Sequence, residues 1–333
     1  MKLGRVLLFF SLLLAVHFPA HAQPGSKDAA REILKAVVKI RAIVPDYARS
    51  AKILGTEREG SGVVIDSRGH ILTIGYLILE AETLEVVGPD GKAVIAQSTA
   101  YDHRTGFGIL RVDKPLEVKP MELGKSSEVK EGDPVLVAAH GGEDGAMGAR
   151  VISRKEFAGY WEYLLDEAIF TAPPHTNFGG AALIDRQGKL VGIGSLFTQI
   201  PIAGLGAIPG NMFVPIDYLK PILSELIDKG QTSEPPRPWL GVNADESHGR
   251  IFVTRVTPEG PAERAGLKIG DIILTVDKRE ISGLADFYRK IWGLGKAGVE
   301  VPLSILRGIQ IRDIIVKSAD RTQYYQLKPK RRI

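Results

Sequence analysis

Seven histidines and no cysteine set the chemistry open to this chain. Without cysteine there is no thiolate catalysis, no disulfide and no cysteine-ligated zinc. Histidine is the natural general base near neutral pH. It activates a hydroxyl when the two lie within hydrogen-bond reach and a third group orients the ring. His175-Thr176 is the most suggestive pair, since a hydroxyl and a base stand directly before the glycine turn Asn177-Phe-Gly-Gly-Ala181. Adjacent residues on extended chain point to opposite faces, however, so the pair reads as loop. His70 beside Ile71 reads as framework, and Asp102 with His103 as a turn before Thr105. No histidines show metal-ligand spacing such as H-E-x-x-H, so neither a metal nor a cofactor is expected.

The elements around these residues read as short strands. Ala36–Ile43 shows β-branched alternation, and Val63–Ile65 and His70–Thr73 flank a turn at Asp66–Gly69 as a hairpin. Leu84–Val87 and Lys92–Ala96 flank Asp90-Gly91, a strong turn signal because glycine accepts positive φ freely. Phe107–Val112, Pro134–His140, Gly148–Arg154, Glu167–Ala172, Leu183 with Ile184, and Lys189–Phe197 continue the series. Such density, with 37 glycines and 20 prolines, predicts a mainly β chain of barrel or sandwich type. Ser26 is a candidate N-cap for a helix over 27–35, and Ile216–Asp228 reads helical.

At 333 residues the chain suits two domains. Residues 1–22 read as an export signal: Lys2 and Arg5, the apolar run Val6–Val16, then Ala20-His21-Ala22 as a cleavage site. The run is too short to span a bilayer, and no later stretch reaches spanning length, so the expected mature chain is exported, periplasmic or secreted, with no integral membrane span. Removal of Lys2 and Arg5 takes the net charge from +4 to +2, which points to no nucleic-acid partner. The expected organisation is a first domain over 23–228, a proline-rich linker over 229–238, a second domain over 239–326, and a basic tail over 327–333.

Ordered along the chain, these segments resemble the HtrA/Deg branch of trypsin-like serine proteases, with a C-terminal PDZ domain. Pro261–Val276 follows that family's S-P-A-x-x-A-G-L-x-x-G-D-x-I-L-x-V, with Gly260 for the first serine. Gly60–Ile65, Gly69–Thr73, Leu123–Ser126, Gly179-Gly180 and Gly188–Ile193 follow its protease half. The resemblance implies a trypsin-like double β-barrel followed by an α+β PDZ domain, and trimers or larger homo-oligomers. It also locates the triad. The family's histidine, in I-L-T-N-N-H-V, falls on Tyr76; its aspartate, in T-D-I-A-L-L, on Gly106; its serine on Gly179. A one-residue shift gives Phe178 or Gly180, and Asn177–Ala181 contains no serine. A phenol with a pKa of about 10 is a poor base at neutral pH, so no Ser-His-Asp triad is expected. Gly179 and Gly180 are able to keep the backbone N–H groups of an oxyanion hole.

For the PDZ half, the resemblance places a carboxylate-binding loop at Trp239-Leu-Gly-Val242. Ile251-Phe-Val253 is the expected strand for pairing with a ligand peptide. Phe287 and Ile291, on one face of a helix over 284–292, are side-chain pocket candidates, with plain core as the other reading. Phe157, Tyr160, Trp161 and Tyr163 either line a cleft or pack over the barrel. Three functions follow as expectations: a pseudoprotease that binds polypeptides or protein C-termini; an active serine-type endopeptidase of envelope protein quality control; or a PDZ adaptor.

Overall fold

The computed structural model describes residues 24–202, 204 and 206–325; the export signal and the basic tail lie outside them. Helix α1 (Pro24–Leu34) starts before Ser26, the expected cap position. Six strands follow: β1 (Val37–Ile43), β2 (Glu57–Val64), β3 (His70–Ile74), β4 (Thr83–Val87), β5 (Ala93–Tyr101) and β6 (Phe107–Val112), with the short helix α2 (Ala51–Leu54) between β1 and β2. They close a barrel in the order β1-β2-β3-β6-β5-β4. A second barrel has the order β10-β11-β12-β9-β8-β7. Its strands are β7 (Pro134–Ala138), β8 (Ala146–Gly159), β9 (Tyr163–Ala172), β10 (Ala182–Ile184), β11 (Leu190–Ile202) and β12 (Gly206–Pro215). Closure gives every barrel strand a paired neighbour on both sides. The inward faces carry Ile40, Ile71, Ile109, Leu183 and Phe213, all fully buried.

The helix expected over 216–228 is shorter. A 3-10 turn spans Ile216–Tyr218, and α3 (Leu223–Lys229) starts only after Pro221, whose ring and missing N–H interrupt a continuous helix. Gly230, at φ 72, ends α3 in the left-handed conformation.

The second domain is a sheet in the order β13-β14-β15-β17-β18, with β16 paired to β15. The strands are β13 (Val242–Ser247), β14 (Arg250–Val256), β15 (Ile272–Val276), β16 (Arg279–Glu280), β17 (Glu300–Arg307) and β18 (Gln310–Lys317). Three helices accompany them: α4 (Pro261–Arg264), α5 (Leu284–Trp292) and α6 (Arg321–Tyr324). Leu284, Phe287, Tyr288 and Ile291 form the buried stripe of α5, each contributing roughly 1.5–3 kcal/mol by leaving water. The register of β8 and β9, with Gly159 opposite Tyr163, makes Tyr160-Trp161-Glu162 the tip of a long hairpin. That tip reaches the second domain. No helix among the described residues is long and apolar enough to cross a membrane.

Candidate functional site

The fold brings Tyr76, Gly106 and Gly179 to one place. Tyr76 lies in the 3-10 turn Gly75–Leu77 that follows β3. Gly106 leads into β6, and its carbonyl accepts the Gly75 N–H at 2.7 Å. Gly179 lies in the loop between β9 and β10, and its carbonyl accepts the Ser61 N–H at 2.8 Å. The Tyr76 hydroxyl donates to the Ser195 carbonyl at 3.0 Å. A Cβ on Gly179 would come within 2.9 Å of that hydroxyl, so the phenol occupies the space that a side chain at position 179 needs. Burial pushes the Tyr76 phenol well above its ordinary value, with Tyr101 adding to the shift, which removes it further from service as a base.

Neither neighbouring position offers a way round this. Gly180 has φ +74, and a Cβ there would lie 1.9 Å from the Ser61 carbonyl oxygen; glycine is required. Gly106, at φ +85, faces the Tyr163 hydroxyl, 3.2 Å from where its Cβ would be. That hydroxyl donates to the Thr105 carbonyl at 2.5 Å. Of the two glycines expected to keep oxyanion-hole amides, Gly180 donates its N–H to the Gly194 carbonyl at 2.9 Å. The Asn177 N–H donates to His175 Nδ1 at 3.0 Å, so His175 serves its own loop.

His70 and Asp102 are likewise engaged. His70 Nδ1 lies 2.7 Å from Asp66 Oδ2 across the turn between β2 and β3. Asp102 accepts the Thr105 N–H at 2.9 Å and its hydroxyl at 2.6 Å, which closes the local turn. His103 packs its ring 4.2 Å from that of Tyr101, and burial holds its pKa well below the ordinary value, with the Arg321 charge adding to the effect. One serine–histidine contact escaped the sequence: Ser61 Oγ lies 3.2 Å from His140 Nδ1. Ser61 is fully buried, and its oxygen also accepts the His140 N–H at 3.0 Å. It therefore ties β2 to the end of β7 and presents no nucleophile to solvent.

Beside these positions, between the barrels and the second domain, is a cavity of about 370 Å³. Tyr76, Tyr101, Trp161, Tyr163, Trp239 and Tyr325 are among its lining residues. Trp161 and Tyr163 stack at 5.5 Å with 14° between ring planes. Of the aromatic group singled out in the sequence, Tyr160, Trp161 and Tyr163 line this cavity, and Phe157 packs behind them, 6.0 Å from Trp161.

In the second domain the expected ligand strand needs correction. β14, which carries Ile251 and Val253, is paired on both sides, to β13 and β15, and both side chains are buried in the core. The strand next to the Leu240–Val242 loop is β13, at the sheet edge. Trp239 also stands apart from the loop: its N–H donates to the Ala319 carbonyl at 3.0 Å, and its ring packs 4.7 Å from that of Tyr324. Phe287 and Ile291 are fully buried, in a cluster that also holds Leu164 of β9.

The loop itself holds a carboxyl group. Glu162 Oε2 accepts the Leu240 N–H at 2.9 Å, and Oε1 accepts those of Gly241 at 2.7 Å and Val242 at 3.0 Å. Glu162 is 5% exposed and adopts φ 56. Burial pushes its carboxyl above the usual range, against the three amides and the Arg321 charge, which favour the ionised form. Sequence reasoning did not find this residue.

Comparison with known proteins fits this architecture. Residues 60–193 match the trypsin-like peptidase domain model, and residues 238–317 match the PDZ domain model. A probable periplasmic serine protease do/HhoA-like of Haemophilus influenzae is 27% identical over 279 residues, covering 78% of this chain and 57% of its own. Protease Do-like 1, chloroplastic, of Arabidopsis thaliana is 30% identical over 273 residues, covering 75% and 61%. The chain thus spans about three-fifths of the length of these relatives. Among solved structures, the HtrA-type protease AlgW with decapeptide superposes with a TM-score of 0.53 at 23% identity, over 89% of this chain and 98% of that one. At that identity the likeness speaks for the fold.

Proposed function

We propose that this chain, an HtrA/DegP-type homologue joining a trypsin-like peptidase domain to a PDZ domain, is a non-catalytic member that binds polypeptides through their C-termini. The observation that carries the first half is the Tyr76 hydroxyl standing where a side chain at 179 would go. Acyl transfer needs a nucleophile, a base within hydrogen-bond reach, and donors aimed at the developing oxyanion. Positions 76, 106 and 179 supply a phenol held protonated and two glycines, while the turn amides of Asn177 and Gly180 are engaged elsewhere.

Support for peptide binding comes from the Leu240–Val242 loop, whose three N–H groups converge on one carboxylate. A peptide's terminal carboxylate is recognised by the same chemistry, with the edge strand β13 beside it for backbone pairing. Relatives named as periplasmic proteases support export, as does the composition of residues 1–22.

The test incubates purified residues 23–333 with unfolded casein and with a serine-directed fluorophosphonate. Neither cleavage nor labelling is expected. Reproducible labelling would overturn the non-catalytic reading, and its loss in Thr176→Ala would identify the nucleophile.

A further inference from the structure

The groove that a peptide C-terminus would enter is already filled by this chain's own hairpin. The Glu162 carboxylate sits on the Leu240, Gly241 and Val242 amides. Two residues earlier, the Tyr160 carbonyl accepts the Ala244 N–H of edge strand β13 at 2.9 Å. On the opposite wall, the Tyr288 hydroxyl of α5 accepts the Glu162 N–H at 3.2 Å and donates to the Gly159 carbonyl at 2.8 Å. Among the described residues, Leu164 of β9 is a barrel residue buried in the PDZ core cluster. Arg289 of α5 pairs with Glu156 and Asp166 on the two hairpin strands. Carboxylate, backbone hydrogen bond and apolar side chain thus repeat the three elements of C-terminal peptide recognition.

We propose that Glu162 is an internal mimic of a C-terminal carboxylate, and that a peptide ending in a free carboxylate and an apolar residue binds by displacing the Tyr160–Glu162 tip. The proposal rests on the reading that the Leu240–Val242 loop accepts peptide C-termini. Both occupants need the same three N–H groups, each a single donor, so binding is mutually exclusive. The apparent affinity for peptide is then the intrinsic affinity scaled by the fraction of molecules with the tip undocked. Because Trp161 and Tyr163 line the cavity beside Tyr76, displacement of the tip also opens that cavity. The peptide groove and the junction of the two barrels are therefore coupled through one hairpin.

The test uses residues 23–333 and fluorescent decapeptides degenerate at nine positions and ending in leucine, as free acids and as C-terminal amides. Binding is read by anisotropy, and release of the tip by hydrogen exchange at residues 160–164. Glu162→Gln keeps the shape of the side chain and removes its charge; Glu162→Ala is the second variant should the first fail to fold. The expected result is free-acid binding at least about tenfold tighter in the variants than in the wild type, no comparable gain with amides, and faster exchange at the tip when the wild type is saturated. Equal affinity of wild type and variants would overturn the mimic while leaving peptide binding intact. No free-acid binding by any form, with the PDZ sheet still protected from exchange, would overturn the peptide reading and the competition with it.

Discussion

The Tyr76 hydroxyl lies 2.9 Å from the point where a Cβ on Gly179 would sit, and 3.9 Å separates that point from the ring carbon bearing the hydroxyl. The close approach of a Cβ at 179 is therefore to one oxygen atom. Gly179→Ser is expected to destabilise by about 1–3 kcal/mol, the usual cost of overpacking, without gaining fluorophosphonate labelling. Tyr76→Phe alone loses the hydrogen bond to the Ser195 carbonyl, about 1 kcal/mol. In the Tyr76→Phe background the serine should cost less, giving a favourable coupling above about 0.5 kcal/mol in a urea double-mutant cycle. Strict additivity would show that the two positions do not compete for space.

Restoring all three triad residues should not restore activity. Gly106 has φ +85, where a residue with a Cβ is strained by roughly 1–2 kcal/mol, and an aspartate there also meets the Tyr163 hydroxyl. The triple variant Tyr76→His, Gly106→Asp, Gly179→Ser is expected to melt lower than the wild type and to remain unlabelled by fluorophosphonate. Labelling of the triple variant would mean that the backbone at 106 and 179 relaxes to the catalytic arrangement.

The parts legible in the sequence were those encoded locally. Glycine at turns and β-branched residues in short runs announce the two barrels, and Pro261–Val276 announces the PDZ sheet. Leu219, Ile222, Leu223 and Leu226 have helical spacing, but Pro221 breaks the segment, so the helix over 216–228 is shorter than that spacing implies. Ile251-Phe-Val253 has the pattern of a good strand, and nothing local distinguishes an interior strand from the edge strand β13; sheet order does that. Glu162 was invisible for a similar reason. Its partners are about 80 positions away, and an acid between Trp161 and Tyr163 carries no mark of a carboxylate destined for burial.

Acid should weaken the PDZ sheet through Asp271. This side chain is 1% exposed and paired to both Nε and Nη2 of Arg307 at 2.7 Å, with the Lys268 N–H at 2.8 Å. Burial alone would raise its pKa, but the Arg307 fork and the Lys268 amide bring it below the usual carboxylate range. A folded-state pKa below the unfolded one contributes stability that is present above about pH 4 and is lost as pH falls through the folded value. Asp271→Asn should cost about 1–3 kcal/mol at pH 7, with Arg307 left partly solvated. The gap between wild-type and variant urea midpoints should close as the pH falls below 4. A gap independent of pH would assign the cost to packing and not to charge.

The hairpin joint has its own single-atom test at Tyr288. The ring is fully buried and stacks on Trp292 with 20° between planes, so Tyr288→Phe keeps the packing of α5. What it removes is the hydroxyl shared by the Glu162 N–H and the Gly159 carbonyl. Both are backbone groups at a buried site, and leaving them unpaired costs about 1–3 kcal/mol. Because the loss falls on the docked tip and not on the sheet, the expected effect is local: amide exchange at Glu162 about tenfold faster, with β14 and β17 amides unchanged. Slower or equal exchange at Glu162 together with faster exchange across β14 and β17 would show that the hydroxyl stabilises the PDZ core and has no part in holding the tip.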